Sequence, residues 1–293
     1  GIGGISDELT FPKDDTADFV GPSDYTKTVF NTKVGAIGAT HTISLGVKTY
    51  LRSVLLYGAN RIGIVSDTLS KLREASNYSN EYYTSGRQSL HVSLNHKISV
   101  KHTLKAGLIA SNLFYDMSNN PFNRSIGKPV NVLNGKGNAG LLQPYAQFRA
   151  RFGSRITLNA GLHGMYFMLN KQSAIEPRLA LRMQLTERLS VSAGYGIHHQ
   201  LQPLGNYFTS IDTGSGVYQP NRNLKFTAAN HYVFSVDFLP AKNMRIKVES
   251  YYFDLSAIPI GDAPGSTYNI LNERDGYATG RLISKGKQFS KGV

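Results

Sequence analysis

Apolar and polar side chains alternate one by one along most of the chain from about Tyr25 onward. A period of two is the spacing of strands with one apolar and one wet face. In 175–185, Ile175, Pro177, Leu179, Leu181, Met183 and Leu185 share one face, and Glu176, Arg178, Ala180, Arg182 and Gln184 the other. After a brief turn, Leu189, Val191, Ala193, Tyr195 and Ile197 oppose Ser190, Ser192, Gly194, Gly196 and His198. The pattern recurs around Leu104–Ala110, Ala146–Phe152, Ile156–His163, Tyr232–Phe238 and Arg245–Tyr252. It predicts strands near 25–41, 49–67, 86–97, 102–116, 141–152, 155–169, 174–185, 189–200, 229–239 and 244–255, with another beginning near Arg281.

The connections sort by length. Tight turns fall at 46–48, 99–101, 153–154, 187–188 and 240–243, and longer loops at about 68–85, 117–140, 201–228 and 256–280, with a short exception near Asn170. Many strands match the ~9–11 residues that cross a bilayer at a tilt, and short turns at one end with long loops at the other describe an outer-membrane barrel. The expected fold is all-β: an antiparallel up-and-down transmembrane β-barrel, partial, of about ten strands. Residues 1–24 read as a polar lead segment, the remainder of an outward loop, and 25–293 as the barrel domain.

Composition changes this picture little. A mean hydropathy of -0.25 looks soluble, but alternation averages a membrane strand to neutrality. Tyr 17 and Phe 14 favour strands. The absence of cysteine excludes zinc-thiolate sites, disulfides and cysteine nucleophiles. A net charge of +13 points to anionic partners, yet the basic residues are scattered, which argues against nucleic acid. The first residues carry no secretory signal pattern.

Two segments resemble the TonB-dependent outer-membrane receptors. One is AIEPRLALRMQLTERLSVSAGYGIHHQLQPLGNYF from Ala174. The other is NLKFTAANHYVFSVDFLPAKNMRIKVESYYFDLSAIPI from Asn223, followed by RLISKGK from Arg281. The likeness is strong over 174–287 and weaker over 25–170. It implies a barrel of ~22 strands with a plugged lumen, of which these residues would be a fragment without the plug. It implies three partners: outer-membrane lipid, a plug domain and the TonB complex. It also implies import of a scarce ligand (siderophore, cobalamin, glycan or peptide), with no bond chemistry. The rivals are a passive porin-like or structural barrel and a soluble glycan-binding β-sandwich. With ten of ~22 strands present, the sheet is expected to stay open, with free edges at 25–41 and 244–255.

No catalytic constellation emerges, and neither a cofactor nor a metal is expected. Gly135 to Gly140 matches G-x-G-x-x-G, but it reads as a loop entering a strand, where dinucleotide binding needs a helix. His198 and His199 are adjacent, so alternation turns their rings to opposite faces. His163 shares a face with His198 and reads as part of a hydrogen-bond network. Asp14 and Asp15 read as solvated loop. Lumen-face charge is expected from Arg149, Glu176, Arg178, Arg182, His198, Lys247 and Glu249, serving ion pairs and plug contacts. Ligand contacts are expected from loop aromatics: Tyr82, Tyr83, Tyr207, Phe208 and Tyr218, with Tyr78, Tyr268 and Tyr277 as further loop rings.

Overall fold

The computed structural model describes residues 1–15, 24–70, 72, 74–123, 125–214, 216–272, 278 and 280–293. In chain order the strands are β1 (Ile2–Thr10), β2 (Thr26–Gly46), β3 (Thr49–Leu69), β4 (Ala75–Lys97), β5 (His102–Asn123), β6 (Lys128–Pro129), β7 (Leu133–Phe152), β8 (Ile156–Phe167), β9 (Gln172–Gln184), β10 (Leu189–Gln200), β11 (Ile211–Asp212), β12 (Val217–Tyr218), β13 (Thr227–Ala241), β14 (Met244–Gly261) and β15 (Leu282–Gly292). Thirteen of them form one sheet whose neighbours are sequence neighbours throughout, with β6 beside β5 and the β11–β12 hairpin apart. Every pairing is antiparallel, so the predicted up-and-down meander is the fold. No α-helix occurs among the described residues.

The two faces follow the register. Leu55 pairs with Leu90 and Leu90 with Ala110; farther on, Leu179 pairs with Tyr195 and Tyr195 with Tyr232. These side chains stand on one face and are exposed, Leu55 at 60%, Leu179 at 51% and Tyr232 at 48%. An apolar face left this open has no protein covering it, which suits contact with lipid. The opposite face carries Arg52, His91, Lys105, Gln147, Arg178 and His231 and lines the larger concavity, of about 750 Å³.

Three expectations need correction. The segment 1–24 is not simply a lead: Ile2–Thr10 is an edge strand in register with β2, from Ile2 opposite Ala36 to Thr10 opposite Thr28. Its run of glycines and acids lacks alternation, and the backbone ladder to β2 supplies the structure instead; residues 16–23 lie outside the described part. The free edges are therefore β1 and β15, since β2 and β14 both have partners on each side. The expected loops at 68–85 and 117–140 are largely strand, because β4 begins at Ala75, β5 continues to Asn123 and β7 begins at Leu133. Strands of 20–23 residues outrun the bilayer, and beyond it the sequence no longer has to alternate although the backbone still pairs.

The main buried cluster is not between two sheets. Leu113, Tyr115, Met117, Leu133, Ala139, Leu141, Met165 and Phe167 come from the polar face of β5, β7 and β8 near their long-loop ends. Tyr207, Phe208, Leu224 and Phe226 come from the β10–β13 connection and pack onto them. That connection folds back over the sheet rather than standing outward.

Candidate functional site

At the heart of the polar face sits Glu176 on β9, 1% exposed. Register places it opposite His163 on β8 and two residues from Arg178 on its own strand face. Its Oε2 accepts from Arg178 Nη2 at 2.6 Å and meets His163 Nδ1 at 2.8 Å; its Oε1 accepts from the His199 backbone N–H at 2.5 Å. A buried carboxylate is tolerable only when it is paired and hydrogen-bonded in this way.

Around this node the concavity is lined by His91, Lys105, Tyr145, Arg178, His198 and His231. His91 Nε2 lies 2.8 Å from the Tyr145 hydroxyl, and Lys105 Nζ stands 5.6 Å over the Tyr145 ring. Imidazole and phenyl rings form a ladder across β10, β13 and β14. The centroid distances are 4.4 Å from His198 to His231, 3.9 Å from His231 to Phe253 and 4.8 Å from Phe253 to Tyr251. Nearer the tight turns, Arg182 donates to Ser190 at 3.2 Å, Lys247 pairs with Glu249 at 2.5 Å, and Arg245 pairs with Asp237. Arg149 lies on the same face, register partner of Asn159.

All seven predicted charged positions thus share one face, and the structure gathers Glu176, Arg178 and His198 around a single hollow. His199 also lines that hollow, with Nδ1 3.4 Å from Glu176, so strict alternation misplaces it. The β9–β10 ladder ends at Arg178–Gly196, which releases the end of β10 from the regular pleat on that side. No group of three or more His, Cys, Asp or Glu side chains suited to a metal ion occurs among the described residues.

The aromatics fare differently. Tyr82 and Tyr83 belong to β4, not to a loop. Tyr82 points to the apolar face and is 41% exposed, whereas Tyr83 packs against the buried cluster. Tyr207 and Phe208, expected on an outward loop, lie in the 3-10 turn Leu204–Phe208 and are 0% and 2% exposed. Tyr207 packs on Phe167 at 5.5 Å and Phe208 on Tyr115 at 4.4 Å. Burial pushes the Tyr207 phenol pKa up, keeping it neutral. Tyr218 alone of the five sits on an exposed hairpin, β12. Tyr277 lies outside the described residues.

The glycine-rich run 135–140 is part of β7 and not a loop. A Cβ at Gly135 would meet the Phe208 ring at 2.5 Å, so glycine there admits the returning loop. Asparagines hold that loop in place. Asn206 Oδ1 accepts from Ala278 N at 2.9 Å and Thr209 Oγ1 donates to Ala278 O at 2.7 Å. Asn221 donates to Gly280 O at 2.9 Å and accepts from Leu282 N at 2.8 Å. The two longest loops are thereby tied to each other across the long-loop end of the sheet. Sequence reasoning passed over His91, His231, Asn206 and Asn221; single polar residues give no signal until the fold assembles them.

Residues 3–293 match the family model for TonB dependent receptor-like β-barrels. The chain belongs to that family. TonB-dependent receptor barrels sit in the bacterial outer membrane. Among solved structures, the RagAB peptide importer in its closed-closed state is 12% identical, with TM-score 0.61 over 91% of this chain and 33% of its own. The ferric preacinetobactin receptor BauA from Acinetobacter baumannii is 12% identical, with TM-score 0.59 over 97% and 44%. The ferric-catecholate import receptor Fiu from K12 E. coli is 12% identical, with TM-score 0.57 over 96% and 45%. At such identities the likeness is one of fold, and the chain spans less than half of each of these receptors. No curated protein sequence matches it significantly.

Proposed function

We propose that this barrel segment serves TonB-coupled import of a scarce polar ligand through a lumen gated by a plug. The match of residues 3–293 to the receptor-barrel family carries the reading. Two features of the polar face support it. In the hollow Arg178 and Glu176 are paired with each other, whereas Lys105 forms no ion pair among the described residues, so its walls lean toward anionic groups on a plug or a solute. The β10–β13 connection also packs over the polar face at the long-loop end, an arrangement that suits a gated receptor. The ligand class is a siderophore, cobalamin, glycan or peptide; the neighbours named above import peptide or ferric chelates.

The deciding experiment uses cells carrying the full-length protein. Uptake of labelled candidate ligands is measured with and without the gene, and with and without an uncoupler of the inner-membrane proton gradient. Uptake that needs both the gene and the gradient supports coupled import. Gene-dependent uptake that survives the uncoupler would instead make the protein a passive pore.

A further inference from the structure

On the lipid-facing surface of β1 to β4, apolar side chains give way to two cations standing side by side. Lys33 on β2 and Arg61 on β3 are register partners, with Ile5 on β1 and Thr84 on β4 completing the row. Both cations are exposed, and neither forms an ion pair or side-chain hydrogen bond among the described residues. Like charges directly opposite each other destabilise a ladder, so the pair calls for a counter-charge from outside. Of the acids on that face, Asp7 stands one register step farther out opposite Asn31 and Asp116, in the same row, is paired with Lys136; neither forms an ion pair with the two cations.

The cations flank a groove of about 590 Å³ whose floor is Gly3, Gly35 and Ala59. A Cβ built on Gly35 would meet only the Ile2 carbonyl at 3.9 Å, so the floor is open above. Beyond the groove on the same face, Tyr57 stands two residues from Ala59 and stacks on Phe114 at 5.7 Å, with the Phe114 ring lying over Gly86, the register partner of Ala59. On the other side, the Asn31 side chain covers Gly63. The thirteen steps from the turn at Gly46 back to Lys33 raise the row by roughly 30 Å at the usual strand tilt, just above a ~25 Å apolar band. Long loops mark this as the cell-exterior end.

We propose that the groove between Lys33 and Arg61 seats a phosphate of an outer-leaflet phosphoglycolipid, with the acyl chains running down past Tyr57, Phe114 and Leu55. The two cations then share one anion, the bare floor admits the sugar, and the stacked rings meet the chain–headgroup boundary, where amphipathic aromatics settle. Lys136 stands in the same row but is spent on Asp116 at 2.8 Å, which makes it an internal control.

The test uses the full-length protein in mixed micelles containing bisphosphorylated lipid A or its dephosphorylated form, with bound lipid read by native mass spectrometry. The wild type should retain the phosphorylated lipid in preference. Lys33→Gln/Arg61→Gln should lose about thirtyfold of that retention, ~1 kcal/mol for each cation at an anionic lipid surface. Lys33→Arg and Lys136→Gln should keep it. Ala59→Leu, which fills the floor without touching charge, should weaken it as well. Heat-modifiable mobility on gels reports whether each variant is folded, and a misfolded double variant leaves the wild-type preference and Ala59→Leu to decide. A wild type indifferent to the phosphates, or a folded double variant that retains the lipid unchanged, overturns the proposal. Neither readout depends on ligand uptake, so this inference and the import reading fail separately.

Discussion

Glu176 shows how one residue ties three strands. Its carboxylate takes hydrogen bonds from Arg178 on β9 and from the backbone of β10, and meets His163 on β8. Removing it leaves Arg178 without its counter-ion and the His199 N–H unpaired. Glu176→Ala should therefore cost ~3–5 kcal/mol in a urea titration of the protein folded into lipid vesicles, as breaking buried pairs does elsewhere. Glu176→Gln, which keeps the shape and an acceptor and loses only the charge, should cost visibly less; equal costs would mean that charge rather than shape holds the node. Alternation alone put Glu176 and Arg178 on the wet face. Its burial came from His163, Arg178 and His199 closing around it, partners that lie 13, 2 and 23 positions away.

Strands and loops bring their own tests. Leu90 and Thr40 stand at one height on opposite faces, since Leu90 pairs with Leu55 and Leu55 with Ala39, next to Thr40. Leu90→Arg should cost ~2–4 kcal/mol if that height is near the bilayer midplane, and Thr40→Arg under ~1 kcal/mol, measured in the same titration. Comparable losses would reverse or erase the assignment of faces. In the returning loop, Asn221→Ala removes a donor to Gly280 and an acceptor for Leu282. It leaves the buried Leu282 N–H unsatisfied, at ~1–3 kcal/mol, while the exposed Gly280 carbonyl can turn to water. Limited proteolysis should then cut within 201–226 while the strands stay protected; a loop as resistant as the wild type would show that the apolar cluster around Tyr207 and Phe208 holds it unaided. The sequence suggested these rings as ligand contacts because loop aromatics often are. Only the glycine at 135 hinted that a ring would need room there.

At the scale of the whole sheet, the strands run from β1 to β15, and among the described residues no ladder joins the two. In lipid each unpaired N–H and C=O costs several kcal/mol. Residues 1–293 expressed by themselves should therefore self-associate through those edges, giving no heat-resistant monomer on gels; a discrete folded monomer would show that the edges find each other. The faces, the up-and-down order and the end that bears the long loops were all legible in the sequence, because alternation and turn spacing are local and a bilayer imposes them strand by strand. The extra length of β4, β5 and β7 was not, since pairing beyond the membrane is dictated by the neighbouring backbone and leaves no periodic trace. Nor was the hollow around Glu176, the asparagine tie between loops or the facing cations Lys33 and Arg61. Those arise when residues distant in sequence meet in register, and register is a property of the assembled sheet.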